Sequence, residues 1–182
     1  MLFDEWRKFK GWIVLEFFLA KDERIHLKGL SRRLKISPQT AQIYLGAYEQ
    51  DQILEKEKLG NMTLYKLATN FKTMELKRLY FLLMIEKYIN SFIRDNSEIT
   101  SLVLYGSHAD GSYDKSSDID VLIVSQEKKL ELRSLRLLEE KIGKEVKTET
   151  FSIGEIRAMA GKQSNFYLSL LRNNILLYGA KL

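Results

Sequence analysis

The stretch Leu104-Tyr105-Gly106-Ser107, followed ten residues later by Asp118-Ile119-Asp120-Val121-Leu122-Ile123-Val124, constrains this chain more than any other. Leu102 to Leu104 is a short apolar run that reads as a buried strand ending at Gly106. The run from Asp118 to Val124 is rich in β-branched and aliphatic residues and reads as a second strand. Side chains alternate along a strand, so Asp118 and Asp120 share one face while Ile119 and Val121 share the other. Two carboxylates held that close repel each other unless a cation sits between them. A hard divalent ion with oxygen ligands, Mg²⁺ or Mn²⁺, is the natural partner. Gly106 allows the backbone to approach a ligand closely, and Ser107 offers a hydroxyl and an N–H suited to phosphate oxygens. Metal with phosphate points to phosphoryl or nucleotidyl transfer.

In these residues the chain resembles the nucleotidyltransferase superfamily typified by DNA polymerase β, above all its small, minimal prokaryotic branch. The resemblance implies a short mixed sheet flanked by helices. It also implies that Gly106 and Ser107 hold a nucleoside triphosphate and that Asp118 and Asp120 bind two Mg²⁺ ions. The third carboxylate of such sites sits on the next strand. Glu149, in Lys147-Thr148-Glu149-Thr150-Phe151, is the candidate, with Glu145 as the alternative. The implied reaction moves a nucleoside monophosphate from a triphosphate, ATP foremost, to an acceptor hydroxyl on a partner protein or a small molecule. Where small members often carry Arg after Gly-Ser, this loop reads His108-Ala109-Asp110-Gly111. His108 is expected there as a solvated loop residue, and Asp110 would need to turn away from a triphosphate.

Length and composition bound the rest. With 182 residues the chain has room for one medium domain or two small ones. A hydrophobic content of 45% beside 29% charged residues fits a soluble, globular protein. The absence of cysteine excludes disulfides and thiolate metal sites and fits a reducing cytoplasm. The opening residues mix acids with bases, so no leader is expected. No apolar run approaches the roughly 20 residues that span a bilayer, so no membrane partner is expected. A net charge of +5 is compatible with an anionic partner without requiring one.

Residues 1–69 read as a separate module. A helix over residues 12–20 precedes a short strand at Ile25-His26-Leu27, and Leu27, Leu30 and Leu34 recur at helical spacing after it. Ser37-Pro38 starts a further helix, since Ser caps and Pro suits the first helical position. Two alternating stretches around Gly60-Asn61 then read as a hairpin. This order is similar to the winged helix-turn-helix of prokaryotic regulators, in which the helix after the turn enters the major groove. The helix after Pro38 contains no Lys or Arg, and Gln39 and Gln42 are its candidate base readers. Arg32, Arg33, Lys56 and Lys58 are candidate phosphate contacts. DNA is therefore an expected partner.

Residues 70–95 read as one long linker helix capped by Asn70. Phe71, Met74, Phe81, Ile85, Tyr88 and Phe92 form one apolar stripe, and Leu76, Tyr80 and Leu83 form another. A helix apolar on two sides needs two partner surfaces. One stripe is expected on the catalytic sheet and the other on the winged module or a second subunit, and a homodimer through part of residues 79–92 is expected. Residues 96–182 form the third segment. There an amphipathic helix over residues 126–142 follows the Asp strand, with Leu130, Leu135 and Leu138 inward. A strand over residues 145–152, two short helices and an apolar tail over residues 175–178 complete the chain. The fold class is thus α+β. Two functions stand side by side: a Mg-dependent nucleotidyltransferase fused to a DNA-binding module, or a DNA-binding regulator whose nucleotidyltransferase fold senses nucleotide or is inactive.

Overall fold

In the computed structural model, which describes residues 5–6, 8–21, 23–127 and 129–181, the chain divides into two units, Met1–Tyr80 and Phe81–Leu182. Of the N-terminal stretch read for a leader, residues 1–4 and 7 lie outside that set. Among the described residues no helix is long and apolar enough to cross a membrane.

The first unit begins with α1 (Lys10–Lys21), which buries Val14, Phe17 and Phe18. A two-residue strand, β1 (Ile25–His26), leads into α2 (Leu27–Leu34), and Lys35 closes α2 in the left-handed conformation with φ of 54°. Ser37 then caps α3 (Pro38–Gln50): its hydroxyl accepts the Thr40 N–H at 3.0 Å, while Pro38 occupies the first turn without wasting a donor. The strands β2 (Leu54–Leu59) and β3 (Met62–Leu67) turn at Gly60, whose φ is +59°. They join β1 in an antiparallel sheet of order β1-β3-β2. Ala41 and Leu45 of α3 close this core with Leu30 and Leu54.

Reciprocal caps start the long helix α4 (Phe71–Asp95): Asn70 Oδ1 accepts the Thr73 N–H, and Thr73 Oγ1 accepts the Asn70 N–H. From Phe81 onward α4 belongs to the second unit. That unit carries a four-stranded mixed sheet of order β6-β5-β4-β7, made of β4 (Ile99–Tyr105), β5 (Ile119–Ser125), β6 (Val146–Phe151) and β7 (Asn174–Gly179). A four-residue helix, α5 (Ser107–Asp110), follows β4. Three more helices follow: α6 (Arg133–Ile142), α7 (Ile153–Gly161) and α8 (Asn165–Arg172). Strands β4 and β5 are apolar on both faces, as strands covered on both sides must be. One face, with Leu102, Leu104, Ile119, Val121 and Ile123, packs on Phe81, Ile85, Ile89 and Phe92 of α4 and on Leu135 and Leu138 of α6. The opposite face, with Val103, Leu122 and Val124, packs on Ile156 of α7 and Leu170 of α8.

Several sequence expectations need correction. Of the helix expected over residues 126–142, residue 128 lies outside the described residues and the described helix begins at Arg133. Ahead of it, Asn96 accepts the Glu131 N–H at 2.8 Å and donates to the Glu131 carbonyl, so the backbone there serves a tertiary contact. The apolar tail at residues 175–178 is strand β7, paired antiparallel with β4 from Ser101↔Gly179 to Tyr105↔Asn174. Within the first stripe on α4, Phe81, Ile85 and Phe92 are core of the second unit, whereas Phe71 is 74% exposed. Phe81, Ile85 and Phe92 thus pack on the chain's own sheet, the partner surface expected for one of the two stripes.

Candidate functional site

Strand alternation and register bring the chemistry to one end of one sheet face. Asp118 immediately precedes β5 and Asp120 is its second residue. Across the sheet, Asp120 pairs with Tyr105 on β4 and with Lys147 on β6, and Leu122 pairs with Glu149. Tyr105, Asp120, Lys147 and Glu149 therefore project to the side that α7 and α8 cover. Their end of the sheet lies beside the turn at Gly106.

Gly106 terminates β4 with φ of 69° and ψ of −154°, a combination that side chains do not tolerate. A Cβ placed there would lie 2.5 Å from Asp120 Oδ2, so the glycine gives the carboxylate its room. Ser107, half-buried, opens α5 directly beyond it. The loop that delivers Asp118 is braced from two directions. Asp114 Oδ1 accepts the Ser116 N–H at 2.8 Å and the hydroxyls of Ser116 and Ser117, which hold its carboxyl down at about 2. Lys144 Nζ donates to the carbonyls of Asp114, Lys115 and Ser117, and burial lowers its ammonium pKa.

Electrostatically the site is an acidic cluster with one ammonium laid across it. Burial pushes the Asp120 carboxyl up, the charges of Asp118 and Glu149 add to the rise, and Lys147 opposes it. Lys147 Nζ lies 2.6 Å from Asp118 Oδ2, and this bond raises the lysine pKa. The Tyr105 phenol is pushed up to about 12, first by burial, then by the charges of Glu149 and Asp120 and a hydrogen bond to Glu149. Glu149 therefore stands on the same face as the aspartates but is exposed. Among the described residues no group of three or more His, Cys, Asp or Glu forms a ready-made metal cage. The pair Asp118 and Asp120 fits a hard cation of the Mg²⁺ kind, which commonly uses one or two carboxylates and completes its shell with phosphate oxygens and water.

The loop residues differ from their sequence reading. His108 is buried, stacked on Tyr113 at 4.3 Å and 5° and close to Phe81 at 4.4 Å, so it is core and not a solvated loop residue. Asp110 is half-buried and accepts the Ser112 N–H at 2.8 Å, which ties its carboxylate into its own turn. Sequence reading missed Lys147 and Tyr105. Lys147 shares the alternation of Glu149, but only the parallel register of β5 with β6 sets it opposite Asp120.

In the first unit, Gln39 and Gln42 are exposed on α3, beside Ile43 at 61% exposure. Arg32 and Lys58 are exposed as well. Arg33 pairs with Glu23, and Lys56 pairs with Glu49. Acids distant in sequence thus neutralise part of the basic surface that the local sequence presents.

No curated protein matches the chain significantly. Similar solved structures include a toxin–antitoxin complex with AMP-PNP, 19% identical, covering 53% of this chain and 74% of that one at a TM-score of 0.38. A mutant of the toxin–antitoxin MntA-HpeT is 16% identical with the same coverages, 53% and 74%, and a TM-score of 0.38. A protein from Sulfolobus solfataricus, described as a candidate nucleotidyltransferase, is 16% identical, covering 61% of this chain and 91% of its own at a TM-score of 0.37. Likenesses this loose do not bear on activity. Residues 85–159, which run from α4 through the Gly-Ser turn and both aspartates into α7, match the family model of the nucleotidyltransferase domain.

Proposed function

We propose that the second unit transfers a nucleoside monophosphate from a nucleoside triphosphate, ATP foremost, to an acceptor hydroxyl on a partner protein or a small molecule. The observation that carries this reading is the seating of Asp120 against Gly106, with Asp118 beside it, within the segment that matches the nucleotidyltransferase family. Asp118 and Asp120 are the residues to hold the divalent cation, with Glu149 as the third acid on the neighbouring strand. Bound Mg²⁺ or Mn²⁺ would supply charge neutralisation at the triphosphate and a lowered pKa for the acceptor oxygen. Gly106 keeps side-chain atoms out of the space above Asp120, and Ser107 presents its hydroxyl and N–H to phosphate oxygens. Tyr105, the register partner of Asp120 on β4, lines the same face of the sheet as Glu149. Lys144 and Asp114 keep the approach to Asp118 in one conformation, so the two aspartates are placed before substrate arrives.

For the first unit we propose a winged helix-turn-helix that binds DNA, with Gln39 and Gln42 toward base edges and Arg32 and Lys58 toward phosphates. The supporting observation is the order of α1, β1, α2, α3 and the β2–β3 hairpin, with β1 added to that hairpin and both glutamines exposed. The test of the catalytic reading is incorporation of label from α-labelled ATP into a cell lysate or an added acceptor in Mg²⁺. Wild type should label an acceptor, while Asp118→Asn and Asp120→Asn should not. Absence of nucleotide binding and of labelling in well-folded wild type would leave a DNA-binding regulator with an inactive second unit.

A further inference from the structure

We infer that Lys147 is a built-in counter-ion that occupies the Asp118 carboxylate when no divalent cation is bound and must be displaced for one to enter. The inference rests on the metal reading above and adds a residue to it. Lys147 Nζ lies 2.6 Å from Asp118 Oδ2, and its Cα is the register partner of Asp120 in the parallel pair of β5 and β6. The side chain is therefore tethered over the aspartate pair by the sheet itself. Both partners remain partly exposed, so the ammonium can swing into water without the fold opening. Lys144, by contrast, is committed to the carbonyls of Asp114, Lys115 and Ser117 and has a structural place of its own. A carboxylate oxygen occupied by an ammonium at hydrogen-bond distance offers less to a cation that needs the same lone pairs. Lys147 thus offsets the repulsion between Asp118 and Asp120 in the metal-free protein and sets the metal concentration at which the site fills.

The test uses the full chain and Mn²⁺, with free ion followed by electron paramagnetic resonance. Lys147→Met should bind Mn²⁺ about two- to fivefold more tightly than wild type, the range expected from a partly exposed ion pair. Lys147→Arg should return the affinity to the wild-type value or below. If Lys147→Met fails to fold, Lys147→Gln replaces it. A second readout separates displacement from simple charge repulsion: acylation by an amine-reactive ester, quantified by mass spectrometry. Saturating Mg²⁺ should raise labelling of Lys147 but not of Lys144, and Asp118→Asn should raise it without metal. Equal or weaker Mn²⁺ binding by Lys147→Met or Lys147→Gln, or Lys147 labelling indifferent to bound metal, would overturn the inference. Wild type that binds no Mn²⁺ would overturn the metal reading itself, a result distinct from the other two.

Discussion

A Cβ built on Gly106 would lie 2.5 Å from Asp120 Oδ2, so the turn ending β4 and the carboxylate on β5 share one small volume. Gly106→Ala must therefore push the Asp120 carboxylate aside as well as strain a backbone at φ 69°. We expect a stability loss of about 1–3 kcal/mol from the backbone alone. Divalent-metal binding should weaken along with it, because Asp120 can no longer sit where Gly106 left room. Denaturant titration and Mn²⁺ binding on the same sample check both halves.

Substitution of Asp120 should move stability and activity in opposite directions. Its carboxyl pKa is raised in the folded state, chiefly by burial, so ionised Asp120 costs the fold stability at neutral pH, and that cost disappears as pH falls through the raised value. Asp120→Asn should accordingly match or exceed the wild-type thermal midpoint in a chelator. The same substitution should abolish metal–triphosphate binding and lower any transferase activity about a thousandfold or more. Calorimetry with and without metal reads the binding and stability effects, and label incorporation reads the activity.

Asp114 provides a pH signature of the loop that leads to Asp118. Its folded pKa of about 2 lies below the ordinary 3.8, so the ionised form stabilises the turn. That contribution is complete above about pH 4 and is lost as pH falls toward 2. Carboxyl-carbon NMR should place its titration midpoint near the lower value. A midpoint near 4 would mean that the serine hydroxyls do not engage it in solution.

Phe81 distinguishes core from interface. It is 4% exposed and packs in the second unit with His108, Tyr113, Ile85 and Ile89. Phe81→Glu should therefore unfold this unit, with a loss of at least about 3–5 kcal/mol, the range for removing a buried Phe. Circular dichroism should show the loss of structure, and sedimentation a loss of compactness instead of a simple halving of mass.

For the first unit, Arg32→Ala with Lys58→Ala should weaken duplex binding on every sequence and reduce the salt slope by about one for each phosphate left without its cation. Arg33→Ala should do less, because Glu23 already holds that guanidinium. Gln39→Ala or Gln42→Ala should change sequence preference while leaving the salt slope nearly unaltered. Mobility shifts across a salt series resolve the three cases.

What the chain determines by itself is what near neighbours can express. The β-branched run after Asp118 sets a strand, and strict alternation then puts both carboxylates on one face whatever surrounds them. Ser37-Pro38 and Asn70 start their helices through groups three residues away. Gly60 and Gly106 mark turns because only glycine accepts their conformations without strain. Tertiary structure decided the rest. The residues 175–178 become a strand only because β4 offers an edge some seventy residues away in sequence. Glu131 stays ahead of the helix because Asn96 takes its backbone. His108 leaves solvent because Phe81 and Tyr113 close on it, and Arg33 and Lys56 are neutralised by acids that local sequence does not place beside them. Lys147 likewise meets Asp118 only through the parallel register of two strands. Local patterns follow from the backbone's own periodicity, whereas charge balance and burial at the site depend on which distant segments the fold brings together.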